Sequence, residues 1–314
     1  MLRFLTRRLS LMAVTLLVVS MAIFAVLEIL PGDVASMMLK QDATPERLEA
    51  LREELNLNRP WAERYVDWVG SALTGDLGES YVIKQPITDL IPRRLNNSLA
   101  LAMFALVFGI PLAIAAGIWA GVRPNSIFDR FMSIFGIIGI SLPEFVTGVM
   151  LIFVLSSTLR LLPPSSIMLP GETPFSRPEI LIMPAMTLTF VLFGYIMRMT
   201  RASVIEVMET PYVRTAVLKG LPMRTVIRRH VLPNAMLPTI SIIAMNFGWM
   251  LGGLIIVEAV FAYPGLGLML LQAIQQRDLP LLEALSLLIA GTYAMSNLVA
   301  DISYAAIDPR IRLS

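Results

Sequence analysis

The sequence contains no cysteine, a single histidine and few charged residues. The lack of cysteine excludes disulfide bonds, thiol catalysis and cysteine-ligated metal sites, and leaves the redox compartment open. His230 lies beside Arg228 and Arg229, without a cysteine or carboxylate cluster near it, so neither a zinc site nor a Ser-His-Asp triad is predicted. We interpret His230 as a polar contact or a structural side chain.

Signals for nucleotides and nucleic acids are missing as well. No G-x-x-x-x-G-K-[ST] occurs, so the chain lacks a P-loop and is not expected to hydrolyse ATP itself. The net charge is only +2, and no basic-aromatic surface pattern indicates nucleic acid. We expect no cofactor on this chain and no nucleic-acid partner; if ATP drives its function, another polypeptide hydrolyses the ATP.

Hydrophobic residues make up 56% of the chain and charged residues 15%, which is too apolar for a soluble globule. Six apolar runs are each close to the length that spans a bilayer: 9–30, 98–120, 131–155, 180–197, 235–256 and 281–300. The first run could be a signal peptide, but it is longer than a typical h-region and has no A-x-A site, so we interpret it as a signal anchor. The sequence predicts an all-α polytopic membrane protein with six transmembrane helices.

Basic residues are distributed unequally between the two sides of these spans. The short outer loops hold only Arg160, Arg177 and Arg277. The short inner segments hold Arg3, Arg7, Arg8, Arg123, Arg130, Arg198, Arg201, Arg214, Lys219, Arg224, Arg228, Arg229, Arg310 and Arg312. The positive-inside rule therefore predicts that both termini and the loop 198–234 are cytoplasmic.

Between the first two spans, residues 31–96 are predicted to form a small helical insertion outside the membrane. Thr44 and Pro45 suit the N-cap and first position of one helix, and a second helix is expected from Pro60. The predicted division is a first span 1–30, the insertion 31–96 and a membrane core 97–314.

The segment 210–233, TPYVRTAVLKGLPMRTVIRRHVLP, predicts a tight helix-turn-helix. Tyr212 to Lys219 suits the first helix, Gly220 suits the positive φ after its end, and Pro222 can open the second helix. Ala216 and Gly220 lie one turn apart, which predicts a small corner that another protein could approach closely. The alternative is an ordinary basic cytoplasmic loop.

Polar residues within the spans are costly and tend to face a cavity or a partner. Glu144 follows Pro143 at a predicted kink, where it could line a translocation path, cap a broken helix or bond to a neighbouring span. Asn246 is a second candidate for such a path. Glu258 is interpreted as interfacial because it ends the fifth span.

Pairs of glycines four residues apart also occur within the spans. Gly117 with Gly121, and Gly248 with Gly252, predict close packing between helices in lipid.

The segment 210–233 resembles the cytoplasmic coupling loop of ABC-importer permeases, E-A-A, three residues, G, nine residues, I-x-L-P. The positions that match are Ala216, Gly220, Leu232 and Pro233, and those that depart are Arg214, Thr215 and His230. R-T-A-x-x-K-G-L followed by R-H is similar to the variant of the dipeptide/oligopeptide/nickel branch. Further stretches resembling that branch are G-D-L-G-E-S at 75–80, Tyr263-Pro264-Gly265-Leu266-Gly267, Arg277-Asp278-Leu279-Pro280 and Asp308-Pro309-Arg310.

The resemblance implies a type I ABC-importer permease fold in the bacterial inner membrane, in contact with lipid. It implies a second homologous permease subunit, two ATPase subunits that carry ATP and Mg, and an extracytoplasmic solute-binding protein, with di- or oligopeptides as cargo. The implied ATPase-coupling residues are Arg214, Thr215, Ala216, Lys219, Gly220, Pro222, Arg224, Arg228, Arg229, Leu232 and Pro233.

Two other classes compete with this interpretation. An ion-coupled secondary transporter needs ionisable groups near the midplane and usually has internal repeats. Glu144 is the only candidate for such a group, and the two halves of the sequence show no repeat. A membrane-embedded hydrolase needs paired reactive groups at one depth, and the sequence offers none.

Overall fold

The computed structural model describes residues 2–29, 39, 44–54, 58–169 and 171–307. The regular structure of these residues is helical, apart from an isolated bridge between Glu79 and Pro86. The α-helices are α1 Leu2–Ile29, α2 Pro45–Glu54, α3 Trp61–Leu73, α4 Ile87–Val122, α5 Ile127–Ser141, α6 Glu144–Leu151, α7 Glu179–Met208, α8 Pro211–Leu218, α9 Met223–Val226, α10 Leu232–Val260, α11 Leu266–Gln276 and α12 Leu279–Ile307. Two π-helices continue them, Ile152–Thr158 after α6 and Ile227–Val231 between α9 and α10. The all-α prediction is confirmed.

Within the described residues, four helical stretches are long and apolar enough to cross a membrane: Thr6–Ile29, Ile87–Val122, Glu179–Met208 and Leu279–Val299. The predicted span 235–256 lies within α10, whose described apolar part is Met250–Val260. The count of six spans and the cytoplasmic placement of the termini stay predictions. Asp308-Pro309-Arg310 lies outside the described residues.

The predicted span 131–155 is broken rather than kinked. α5 ends at Ser141, α6 begins at Glu144, and the two helical stretches meet at 114°. Pro143 causes the break, because it lacks an N–H and its ring disfavours a helical conformation at Leu142, which is extended. Together the bent pair provides a fifth candidate span.

The chain divides into two compact units. One consists of Met1–Asn96 with Gly265–Met295, and the other of Asn97–Pro264 with Ser296–Ser314. In the first unit, α3 packs on α1 through the rings of Phe24, Tyr65 and Trp68, and Ser20 bonds to the Tyr65 hydroxyl at 2.9 Å. The predicted helix starts are confirmed, since α2 begins at Pro45 and α3 one residue after Pro60.

In the second unit, α7 is the central helix, and small residues let its neighbours approach its backbone. A Cβ on Gly117 of α4 would lie 2.7 Å from the Met197 carbonyl oxygen, and one on Gly139 of α5 would lie 2.7 Å from the Phe190 oxygen. The predicted packing role of Gly117 and Gly121 is therefore confirmed within this chain. Gly252 has no atom within 4 Å of its Cβ position, and the surroundings of Gly248 lie outside the described residues.

We expect Gly194→Ala to lower the stability of the second unit. The new Cβ would lie 2.4 Å from the Gly136 carbonyl oxygen and 2.8 Å from Ile140 Cγ1, so α5 and α7 must separate. Overpacking of this kind costs about 1–3 kcal/mol, whereas alanine in an open helical site gains about 1 kcal/mol over glycine. The thermal unfolding midpoint of the purified chain in detergent should fall for this variant. The matched Gly252→Ala variant, which meets nothing, should not lower it; equal midpoints would contradict the close packing.

Candidate coupling site and polar residues of the spans

The segment after α7 forms a sharp bend, which we call the elbow: α8, the turn 219–222, α9 and the π-helix Ile227–Val231. Pro211 is the first residue of α8, and Gly220 adopts φ 77° beyond its end, where only glycine is free of a Cβ penalty. The Gly220 N–H donates to Val217 O at 2.9 Å, and the Leu221 N–H donates to Ala216 O at 3.4 Å, which closes the turn. The helix-turn-helix prediction is confirmed, except that Pro222 caps the second helix, which begins at Met223.

The inner face of the elbow has its own apolar core. Its buried members are Val204, Val213, Ala216, Val226, Val231 and Ala235. Ala216 is only 6% exposed, so its side chain belongs to this core, and the close approach of another protein to the corner stays a prediction. The small side chain of Ala216 lets the first arm of the elbow, α8, pack closely against the second arm, which is α9 and the π-helix Ile227–Val231.

A hydrogen-bond network also fixes α8 to the start of α10. The amide nitrogen of Asn234 donates to Tyr212 Oη at 3.0 Å and to the His230 carbonyl at 3.0 Å. The Tyr212 hydroxyl donates to the same carbonyl at 3.4 Å. The elbow is thus held by both packing and polar contacts, and His230 contributes to it through its backbone.

The outer face of the elbow is exposed and combines apolar and basic side chains. Leu218 at the tip is 79% exposed, with Leu221 and Met223 also exposed. The exposed basic residues are Arg214, Lys219, Arg224, Arg228 and Arg229. No described acidic residue forms an ion pair with any of them. Gly220, Pro222, Thr215 and Pro233 are exposed too, and Leu232 is half-buried. The predicted coupling residues, apart from Ala216 and the half-buried Leu232, therefore lie on a solvent-facing surface.

An ion pair that the sequence did not indicate joins α5 to α7. The Arg201 guanidinium donates two hydrogen bonds to the Asp129 carboxylate: Nη2 lies 2.8 Å from Oδ2, and Nε contacts Oδ1. Asp129 is 2% exposed and also accepts the Asn125 N–H at 2.8 Å. Arg201, counted by sequence among the cytoplasmic cations, is thus neutralised within the chain.

Both residues predicted for a translocation path, Glu144 and Asn246, stay candidates. Glu144 is half-buried at the first position of α6, and its Oε1 lies 3.3 Å from a methyl group placed on Gly253 of α10. Its carboxylate has no hydrogen-bond or ion-pair partner among the described residues. Asn246 is 8% exposed, and its amide donates to the Ile242 carbonyl of its own helix at 2.8 Å.

Glu258, interpreted as interfacial from its place at the end of the fifth span, packs inside the chain, and its depth in the membrane stays a prediction. It is fully buried and accepts a hydrogen bond from Ser98 at 2.5 Å. Tyr263 follows it in the Y-P-G stretch and donates to the Asn97 carbonyl at 2.7 Å, while the Asn97 amide donates to Pro264 O at 2.8 Å. Burial raises the pKa of the Tyr263 hydroxyl, and the Glu258 carboxylate raises it further, so this hydroxyl stays a hydrogen-bond donor at neutral pH.

Two further stretches noted in the sequence meet in the first unit. The carboxylate of Asp278, which is 1% exposed, accepts the Ser80 hydroxyl at 2.5 Å, the Tyr81 N–H at 3.1 Å and the Val82 N–H at 3.3 Å. G-D-L-G-E-S and R-D-L-P are therefore the two halves of one clamp, which holds the turn 80–83 against the start of α12.

Asp278→Asn should loosen this clamp. The substitution keeps the shape but replaces one acceptor oxygen by an NH2 group that faces donors, and hydrogen bonds to a charged group contribute about 1.5–3 kcal/mol. We expect a lower thermal midpoint and faster proteolytic cleavage within residues 81–85. Asp89→Asn, at an exposed carboxylate of α4, serves as the control; if both variants cleave alike, the clamp does not stabilise the turn.

These features indicate the class of the protein: it is a multi-span helical membrane protein with an exposed, basic elbow between two helices of its core. Residues 113–313 match the family model for the binding-protein-dependent transport system inner membrane component, and residues 1–102 match the model for the N-terminal part of such components. The chain belongs to this family of ABC-importer permeases. It is accordingly a multi-pass component of the inner membrane and works with ATPase and solute-binding partners.

Curated relatives are similar over their whole length. A probable peptide ABC transporter permease protein, y4tP of Sinorhizobium fredii, is 33% identical over 98% of this chain and 99% of its own. A putative peptide permease protein of Brucella suis is 35% identical over the whole of both chains. The glutathione transport system permease protein GsiC of Escherichia coli O6:H1 is 36% identical over 99% of each chain.

Proposed function

We propose that the chain is one pore-forming subunit of an importer for short peptides, and that its elbow is the seat of an ATPase subunit. The observation that carries this proposal is the elbow's outer face, where an apolar tip at Leu218 is surrounded by basic side chains that have no acidic partner among the described residues. An interface with an apolar centre and a charged rim has the anatomy expected of protein–protein contacts.

The geometry of the elbow supports a mechanical coupling. The apolar core under the tip and the bonds of Tyr212 and Asn234 make the elbow a rigid body. The second arm continues without a break into α10, so movement of the seat is passed to a helix of the pore. Arg224, Arg228 and Arg229 are placed to pair with acidic groups of the ATPase.

The partners and cargo follow from the relatives. Because relatives are named as peptide and glutathione permeases, and glutathione is a modified tripeptide, we propose di- or oligopeptides as the cargo. The proposed assembly contains this chain, a second permease subunit, two ATPase subunits with ATP and Mg, and an extracytoplasmic solute-binding protein. Glu144, which has no described partner at a broken span, is the residue proposed to line the path.

Reconstitution tests whether separate ATPase subunits, and not this chain, hydrolyse the ATP that drives uptake. Proteoliposomes with the full set of subunits should take up labelled dialanine only with ATP inside and binding protein outside. The purified chain alone should not hydrolyse ATP. ATPase activity of the chain alone would contradict the proposal, as would uptake driven by a proton or sodium gradient without ATPases, which would favour a secondary transporter.

A further inference from the structure

The first unit contains a cavity of about 360 Å³, within the size range of small-ligand pockets. Its walls come from the end of α1, from α3, from the loop 76–81 and from the start of α12. Phe24, Trp68 and Tyr81 supply aromatic surface, and Glu79, Glu283 and Arg64 supply charge. The mixture of aromatic rings and carboxylates in its wall indicates the chemistry of the ligand that it can bind.

The arginines of the wall are already ion-paired, whereas two of its carboxyl groups have no partner among the described residues. Arg64 is ion-paired with Glu28, and the other lining arginine, Arg59, with Asp67 and Glu63. Neither Glu79 nor Glu283 forms a hydrogen bond or an ion pair with a described residue. Burial raises the pKa of Tyr81, the carboxylates of Glu283 and Asp278 raise it further, and Arg64 lowers it. The cavity therefore favours a cation.

The aromatic side chains make an organic cation the better fit. The rings of Phe24 and Trp68 lie 6.2 Å apart, and the guanidinium of Arg64 already lies 5.9 Å from the centre of the Phe24 ring. Carboxylates combined with aromatic faces bind ammonium groups through charge-assisted hydrogen bonds and cation–π contacts. A metal ion would instead need several clustered oxygen or nitrogen ligands, and the described residues contain no such group.

The same wall also contains two buried hydrogen-bond donors that have no acceptor within the described residues. Arg64 Nε and Trp68 Nε1 are buried N–H groups without a partner in the described part of the chain. A buried donor without an acceptor is unfavourable, so a ligand oxygen that reached either group would form a stabilising hydrogen bond. The complete ligand thus carries an ammonium group close to a carbonyl or carboxylate oxygen.

We infer that this cavity is an accessory binding site for the amino-terminal end of a short peptide. The ammonium group lies at Glu79 and Glu283, the first carbonyl oxygen is directed to the N–H groups of Arg64 and Trp68, and the first side chain packs on the rings. The inference rests on the proposed function of peptide import, and it adds a cargo site on the permease itself, in the part of the chain that contains the predicted outer insertion.

Calorimetric titration of the purified transporter, without its solute-binding protein, tests this site with dialanine and with N-acetyl-dialanine as probes. Dialanine should bind saturably, and the acetylated probe, which has no ammonium group, should bind at least about tenfold more weakly. The variant Glu79→Gln/Glu283→Gln should weaken dialanine binding by about tenfold or more, while Glu46→Gln, at an exposed carboxylate of α2 outside the cavity, should leave it unchanged. Thermal midpoints of all variants verify folding, and the comparison of the two probes on the unmodified protein does not depend on any variant.

Equal binding of both probes, the absence of saturable dialanine binding, or unchanged binding by the double variant would overturn the inference. Uptake of dialanine by the complete reconstituted system is measured in parallel. Uptake without cavity binding would overturn the accessory site and leave the proposed function intact. Cavity binding without any ATP-driven peptide uptake would support the site and contradict the proposed cargo.

Discussion

Replacing Gly220 by tryptophan is expected to reduce ATP-driven uptake about tenfold or more, without changing the amount of chain in the membrane. Gly220 is exposed at the tip of the elbow with φ 77°, and a Cβ built there meets nothing within 4 Å. The indole would therefore project from the surface into the proposed seat of the ATPase subunit. The left-handed conformation costs the variant only about 1–2 kcal/mol, so the chain should still fold.

The control is Gly220→Asn, because asparagine tolerates the left-handed region and has a short side chain. This variant carries the backbone cost without the bulk, and it should transport at close to the unmodified rate. Uptake and stimulated ATP hydrolysis are measured in proteoliposomes at equal protein content. Unmodified transport by the tryptophan variant would show that no protein surface comes near this corner.

Asp129→Ala is expected to destabilise the second unit by about 3 kcal/mol, the lower end of the range for breaking a buried ion pair. The substitution leaves Arg201 without its carboxylate between α5 and α7 and removes the acceptor of the Asn125 N–H. The lower end applies because Arg201 keeps 29% of its side chain exposed and regains some hydration. Thermal or denaturant unfolding of the purified chain measures the loss.

Two further variants distinguish the contribution of the ion pair to stability from a general effect of removing a charge. Glu206→Ala removes an exposed carboxylate from the same helix α7 and should change stability by less than about 0.5 kcal/mol. Asp129→Leu combined with Arg201→Met should recover most of the loss, since an apolar pair can replace a buried ion pair. If Asp129→Ala unfolds like the unmodified chain, the pair contributes nothing to the packing of α5 on α7.

Local signals in the sequence predicted the elbow well. A proline at 211, a glycine at 220 and a proline at 222 act on their own backbone neighbours, so the ends of α8 and the start of α9 agree with the prediction to within one residue. The burial of Ala216 was missed because small size alone does not distinguish a residue that receives a partner from one that packs inside its own chain.

Contacts between distant positions were not predictable in this way. Asp129 and Arg201 are 72 positions apart, and Ser80 and Asp278 are 198 apart, so no helical periodicity connects them. The burial of Glu258 was likewise not predictable from its place at the end of an apolar run, because its hydrogen-bond partner Ser98 lies on another helix. The candidate site was thus predictable in its backbone and its charges, but not in its packing.

The unbroken helical path from Met223 to Val260 makes the second arm of the elbow one end of a rod about 57 Å long. A rod of this length acts as a lever: a tilt of about 5° at one end displaces the other by about 5 Å, close to one helical turn. Pro238 lies within this rod and removes one backbone hydrogen bond, so it is a position at which the rod can bend. In the proposed mechanism, a small rotation at the surface would therefore become a displacement large enough to open or close a passage.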